Sequence, residues 1–153
     1  FAFIIMVFDY LSDIELRFIF SLIMSIVFGF VIGLERESRH KDAGISTHAF
    51  VIGGAMLFTF ISSLDTESTS RIAAQIVAGI GFIGAGLIFK EGETIRNLTT
   101  ASSIWFAAAI GMAIGFEYYI VASFATVVAI FFPRIPHFQN WKMNKKKINN
   151  KKL

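Results

Sequence analysis

The chain has 153 residues, of which 55% are hydrophobic and 15% aromatic, with 18 phenylalanines, only 16% charged residues and a formal net charge of +3. Water-soluble domains carry about 25% charged residues and are rarely more than half apolar, so this composition excludes both an ordinary soluble globule and a disordered chain. Cysteine is absent, which excludes disulfide scaffolds, thiolate zinc sites, iron–sulfur clusters and redox dithiols together.

In chain order, Phe1 to Phe8 is apolar but too short to cross a bilayer before Asp9. It reads as an interfacial segment, since it lacks the basic start and small-residue cleavage site of a signal peptide. Phe18 to Leu34 is the first long apolar stretch, Ala49 to Ile61 the second and Ile72 to Phe89 the third. Apolar residues occupy every face of these stretches, so lipid is the expected solvent. The last stretch, Ala101 to Phe132, is interrupted only by Glu117. As one straight helix it would span about 48 Å, against a hydrocarbon core of about 30 Å. It must therefore fold back at Gly115, Phe116 and Glu117. The expectation is an all-α polytopic membrane protein. Its membrane domain, 1–133, has five helices at about 17–35, 47–63, 71–89, 100–115 and 118–132, followed by a short basic tail, 134–153.

Lysine and arginine in the connecting segments give an orientation. With five spans one side holds Arg17 and Arg71, 2 basic residues; the other holds Arg36, Arg39, Lys41, Lys90, Arg96, Arg134 and the tail lysines 142, 145, 146, 147, 151 and 152, 12 in all. That split places the N-terminus outside and the C-terminus in the cytoplasm. The six tail lysines follow a span directly, so the expected partner is anionic lipid of the inner leaflet and not nucleic acid.

The candidate functional residues are polar groups near the ends of spans. Glu35, Arg36 and Glu37 close the first span; on a continuing helix Glu35 faces Arg39 and Glu37 faces Lys41. Glu35 directly follows apolar Gly33-Leu34, a depth at which an acid needs a partner or a hydrated cavity. His48 opens the second span without the second histidine a zinc site would require. Arg71 and Gln75 lie one turn apart at the outer end of the third span, with Asp65 and Glu67 before them as ion-pair partners for Arg71. Thr99, Thr100, Ser102 or Ser103 could supply hydroxyls to the Gln75 amide. Gly79, Gly81 and Gly84 spell a dinucleotide-type G-x-G-x-x-G, but inside an apolar span, with no strand before it, the match is accidental. Gly29 with Gly33, Gly81 with Ala85, Ala74 with Ala78, and Gly111 with Gly115 are small-residue pairs suited to helix packing, as are Gly79, Gly84 and Gly86. No hydrolase or phosphate-binding motif is present, so neither enzymatic activity nor a cofactor is expected.

Gly33-Leu34-Glu35-Arg36-Glu37, Ala43-Gly44 with Thr47-His48, Arg71 to Val77 running into Gly79 to Gly86, Leu98 to Ala101, and Ile104-Trp105 occur in an order and spacing that resemble the MgtC/SapB family of bacterial inner-membrane proteins. The resemblance covers about residues 30 to 116. It implies five membrane helices, a role in adaptation to magnesium limitation and virulence, and modulation of the F-type ATP synthase or another membrane complex. Two departures stand out: Asn97 takes a place where the family usually has glycine, and a basic tail stands where many relatives carry a soluble cytoplasmic domain.

Two functional readings follow. In the first the protein is a non-enzymatic regulator acting through helix contacts, including self-association, with Gly111 and Gly115 at the contact. In the second it is a conduit or sensor for a divalent cation, magnesium, served by Glu35 and Glu37 on one face and Asp65, Glu67 and Glu117 on the other.

Overall fold

The computed structural model describes residues 12–64 and 69–135. The expectations for Phe1 to Phe8, the loop acids Asp65 and Glu67, and the lysine tail fall outside those residues. The described residues form five α-helices: α1 (Asp13–Ser38), α2 (Ile45–Ser63), α3 (Thr69–Leu87), α4 (Leu98–Gly115) and α5 (Tyr119–Phe131), the last running into a 3-10 turn, Phe132–Arg134. Of these, α1, α2 and α4 are long and apolar enough to cross a bilayer, while α3 and α5 are apolar but shorter. The third helix stops at Leu87, short of the expected Phe89, because Phe89–Glu91 (β1) and Thr94–Arg96 (β2) form an antiparallel hairpin before α4. Its turn holds Gly92 at φ 59°, a left-handed conformation that glycine adopts without strain.

Local chemistry sets the helix ends. Ser12 and Glu15 start α1 with a reciprocal capping box: the Glu15 N–H donates to Ser12 Oγ and the Ser12 N–H to Glu15 Oε2 at 2.8 Å. α1 ends where Lys41 N–H donates to the Arg36 carbonyl and His40 N–H to that of Glu37, the paired bonds of a Schellman motif with His40 at φ 52°. The same motif ends α4, with Tyr118 N–H on the Ala113 carbonyl and Glu117 at φ 64°. The fold-back expected at Gly115 to Glu117 is thus a defined helix stop.

α2 is the central helix. It meets α1 where a side chain at Gly33 would come within 2.2 Å of Ile45 Cα and one at Gly29 within 2.4 Å of Ala49 Cα. It meets α4 where Gly111 lies against the Ile52 carbonyl, 2.2 Å from an ideal Cβ, and Gly115 against that of Met56, 2.6 Å. The absence of side chains at these four positions lets the backbones touch. Ile32, Ile52, Met56, Ile110 and Ile114 fill the core between these seams, with Ala122 of α5 completing it. α3 lies at the edge, held to α4 through Ile80, Ile104 and Ala108, with Gly84 facing Ala101. Two buried hydroxyls are satisfied along their own helices, where Ser25 donates to the Ser21 carbonyl and Thr126 to that of Ala122.

The charged groups sort to two ends. At one, Arg17 pairs with Glu117 at 3.2 Å. At the other, Asn97 Nδ2 donates to Asp42 at 2.6 Å, and Arg39 donates to the Pro133 carbonyl. The segments that follow α1, precede α4 and follow α5 therefore meet at one end of the bundle.

Candidate functional site

Glu35 and Arg36 occupy the last turns of α1, on the face turned toward α2 and the end of α5. Their side chains are only 3% and 2% exposed. Three guanidinium groups surround the Glu35 carboxylate: Arg39 at 3.5 Å, Arg36 at 3.9 Å and Arg134 at 3.9 Å. The Arg39 pair is the expected i to i+4 contact. Arg134 arrives from the far end of the chain, which no local spacing announces. Buried ion pairs need close geometry to offset desolvation, and these distances are long. Glu35 Oε2 and the Nε and Nη2 of Arg36 have no hydrogen-bond partner among the described residues, and neither has Thr59 Oγ1.

Glu37 does not reach Lys41. Its Oε1 instead accepts the Ile45 N–H at 2.9 Å, capping α2. The reason lies at Gly44, where a Cβ would come within 2.2 Å of that same Oε1, so glycine leaves the space the carboxylate fills. The negative charge also suits the positive end of the α2 dipole.

His48 is fully buried one turn into α2. Its Nδ1–H donates to the Gly44 carbonyl at 2.9 Å, which leaves Nε2 as an acceptor facing Ser103 Oγ at 3.4 Å. The single Ser103 proton goes either to Nε2 or to the nearer carbonyl of buried Thr100, at 2.8 Å. The structure thus gathers Glu35, Arg36, His48, Thr100 and Ser103 between α1, α2 and α4. Thr99 faces outward, and Arg71 and Gln75 are exposed on α3 at a distance from this cluster. Gln75 does not meet the hydroxyls of Thr99, Thr100, Ser102 or Ser103: α3 and α4 run antiparallel, and Gln75 lies across from Ala108. Both residues line an apolar cavity of about 560 Å³, with Phe50, Phe58 and Gly79.

The packing glycines divide into two groups. Gly29, Gly33, Gly111 and Gly115 lie on interior seams, whereas an added Cβ at Gly79, Gly81 or Gly86 would meet nothing within 4 Å among the described residues beyond the adjoining backbone of α3. α3 contacts α4 along its Ile80 and Gly84 side, which leaves Gly81 and Gly86 facing outward and Gly79 on the apolar cavity beside α2. Among the described residues no three His, Asp or Glu side chains converge as a metal site would require.

The family model described as MgtC family matches residues 22–137. Protein MgtC of Brucella abortus (strain 2308) is 48% identical over 104 residues, which covers 67% of this chain and 44% of that protein. Protein MgtC of Salmonella typhimurium (strain LT2) is 43% identical over 115 residues, covering 74% of this chain and 49% of that one. The chain spans about half the length of the curated relatives it matches. No solved structure matches.

Proposed function

The chain belongs to the MgtC family, and on that premise we propose that it is a non-enzymatic multi-pass protein of the bacterial inner membrane, N-terminus outside and C-terminus cytoplasmic. It serves adaptation to magnesium limitation by helix contacts that regulate a partner membrane complex such as the F-type ATP synthase. The observation that carries this reading is the outer face of α3. Exposed positions on α1 and α5 are bulky, with Phe20, Ile23 and Phe30 on one and Ile120, Phe124 and Phe131 on the other. On α3 the exposed positions include Ala74, Ala78, Gly79, Gly81, Ala85 and Gly86, small residues set beside exposed Val77, Phe82 and Ile83. Lipid tails gain nothing from a glycine surface, whereas another helix gains close backbone approach.

This reading transfers the contact from Gly111 and Gly115, which pack inside the chain, to α3. The test is co-purification of membrane partners with Gly79→Leu and Gly81→Leu. Both variants should fold and lose the partner; retention at the parental level would overturn the reading. The magnesium conduit has less support, because Glu35, its principal acid, is surrounded by arginines that repel a divalent cation. Liposomes loaded with a magnesium-sensitive dye should show no flux above empty vesicles, and flux that disappears in Glu35→Gln would restore that alternative.

A further inference from the structure

Arg36 poses a physical problem that the helix-contact reading leaves open. Its side chain is 2% exposed, and the two donors without an acceptor among the described residues, Nε and Nη2, are those of its side-on edge. On that edge the two N–H bonds run parallel, matching the two oxygens of a carboxylate or phosphate. Leaving such donors buried and unpaired is costly, more so for a charged group. Glu35 does not satisfy them, since its carboxylate approaches Nη1 instead, at 3.9 Å. The surrounding charge has the same sign: Arg36, Arg39 and Arg134 gather on the single carboxylate of Glu35, which leaves two positive charges unbalanced.

We propose that the Arg36 side-on edge, with Arg39 and Arg134, binds a phosphate group at this end of the bundle. A phosphate places two oxygens on Nε and Nη2 and offsets the excess charge. Glu35 Oε2, also without a partner, needs a donor, which a protonated phosphate oxygen or a headgroup hydroxyl supplies. Arg39 and Arg134 lie against Glu35 and are 39% and 55% exposed, so both can turn toward a ligand, while the enclosed Arg36 edge must open to admit it. The phosphate is either that of a lipid headgroup or free in solution, since both present the same oxygens.

The experiment is thermal unfolding of the full chain in detergent, read by tryptophan fluorescence, with titration of dioctanoyl phosphatidylglycerol, of sodium phosphate at constant ionic strength, and of dioctanoylglycerol as the lipid without phosphate. The midpoint should rise saturably with at least one phosphate source. A response to phosphatidylglycerol alone identifies a headgroup, and a response to sodium phosphate alone a free anion. In the Arg39→Gln/Arg134→Gln double variant, where both substituted residues are exposed, half-saturation should move up by about tenfold or more, the size expected for loss of a charged hydrogen bond. Arg36→Lys, which keeps the charge and loses the parallel edge, should not respond; if it fails to fold, the double variant decides. The proposal is overturned by no saturable rise with either source, by an equal rise with dioctanoylglycerol, or by a double variant that titrates like the parent.

Discussion

Replacing Gly111 with alanine tests the packing directly. The new methyl carbon would lie 2.2 Å from the Ile52 carbonyl oxygen and 2.9 Å from Ala55 Cβ, and real Cβ atoms do not approach closer than 3.0 Å. The two atoms must separate by most of an ångström. The obstacle is backbone, so rotation of a side chain cannot relieve it. Moving α4 away from α2 also opens the Gly115 contact and the layer formed by Ile52, Met56, Ile110 and Ile114, each no more than 1% exposed. Overpacking of this kind costs about 1–3 kcal/mol, and a seam with no compressible neighbour belongs at the upper end, near 3 kcal/mol. Gly81→Ala is the matched comparison. It meets nothing within 4 Å and should be neutral or stabilising by up to about 1 kcal/mol from helix propensity. Reversible unfolding in mixed micelles with increasing dodecyl sulfate would measure both. A Gly111→Ala protein within about 0.5 kcal/mol of the parent, or equal losses at the two sites, would refute the assignment of interior and open glycines.

Glu35→Gln leaves the Arg36 guanidinium buried without its counter-charge and should lower stability by about 3–5 kcal/mol in the same assay. Glu37→Ala removes the acceptor for the Ile45 N–H and should cost about 0.5–2 kcal/mol, with Glu37→Gln recovering much of it. Asn97 stands at φ 62°, so Asn97→Ala should cost about 1–2 kcal/mol. Asn97→Gly should cost less, because it relieves the backbone while losing the bond to Asp42. The Arg17–Glu117 pair is exposed on both sides, and a double-mutant cycle there should give no more than about 1 kcal/mol.

Five helices were legible because lipid thickness imposes a length on each apolar run and because Glu117 interrupts the last one at its midpoint. The pairing of Glu35 with Arg39 was legible because helical periodicity fixes it. The role of Glu37 was not: its partner is the first turn of another helix, and only Gly44 hinted that something would be accommodated there. Arg134 and Ser103 join the buried cluster through tertiary folding, which leaves no trace in local spacing. The glycines show the same limit from the other side. Gly81 and Gly111 stand in equivalent small-residue patterns, and only the position of α3 at the edge of the bundle separates an occupied seam from an open one. The hairpin after α3 did leave a signal, the Gly92 between Glu91 and Glu93, masked by the apolar run that precedes it.

The seams of α2 also bear on how the molecule can move. Where backbone touches backbone at Gly29, Gly33, Gly111 and Gly115, no side chain can change rotamer to absorb a slide, so α1, α2 and α4 must tilt together as one stiff plate. α3 is joined to that plate through side chains along one edge and ends in a hairpin, much as a flap hangs on a hinge. The buried Arg36 sits on α1, within that plate.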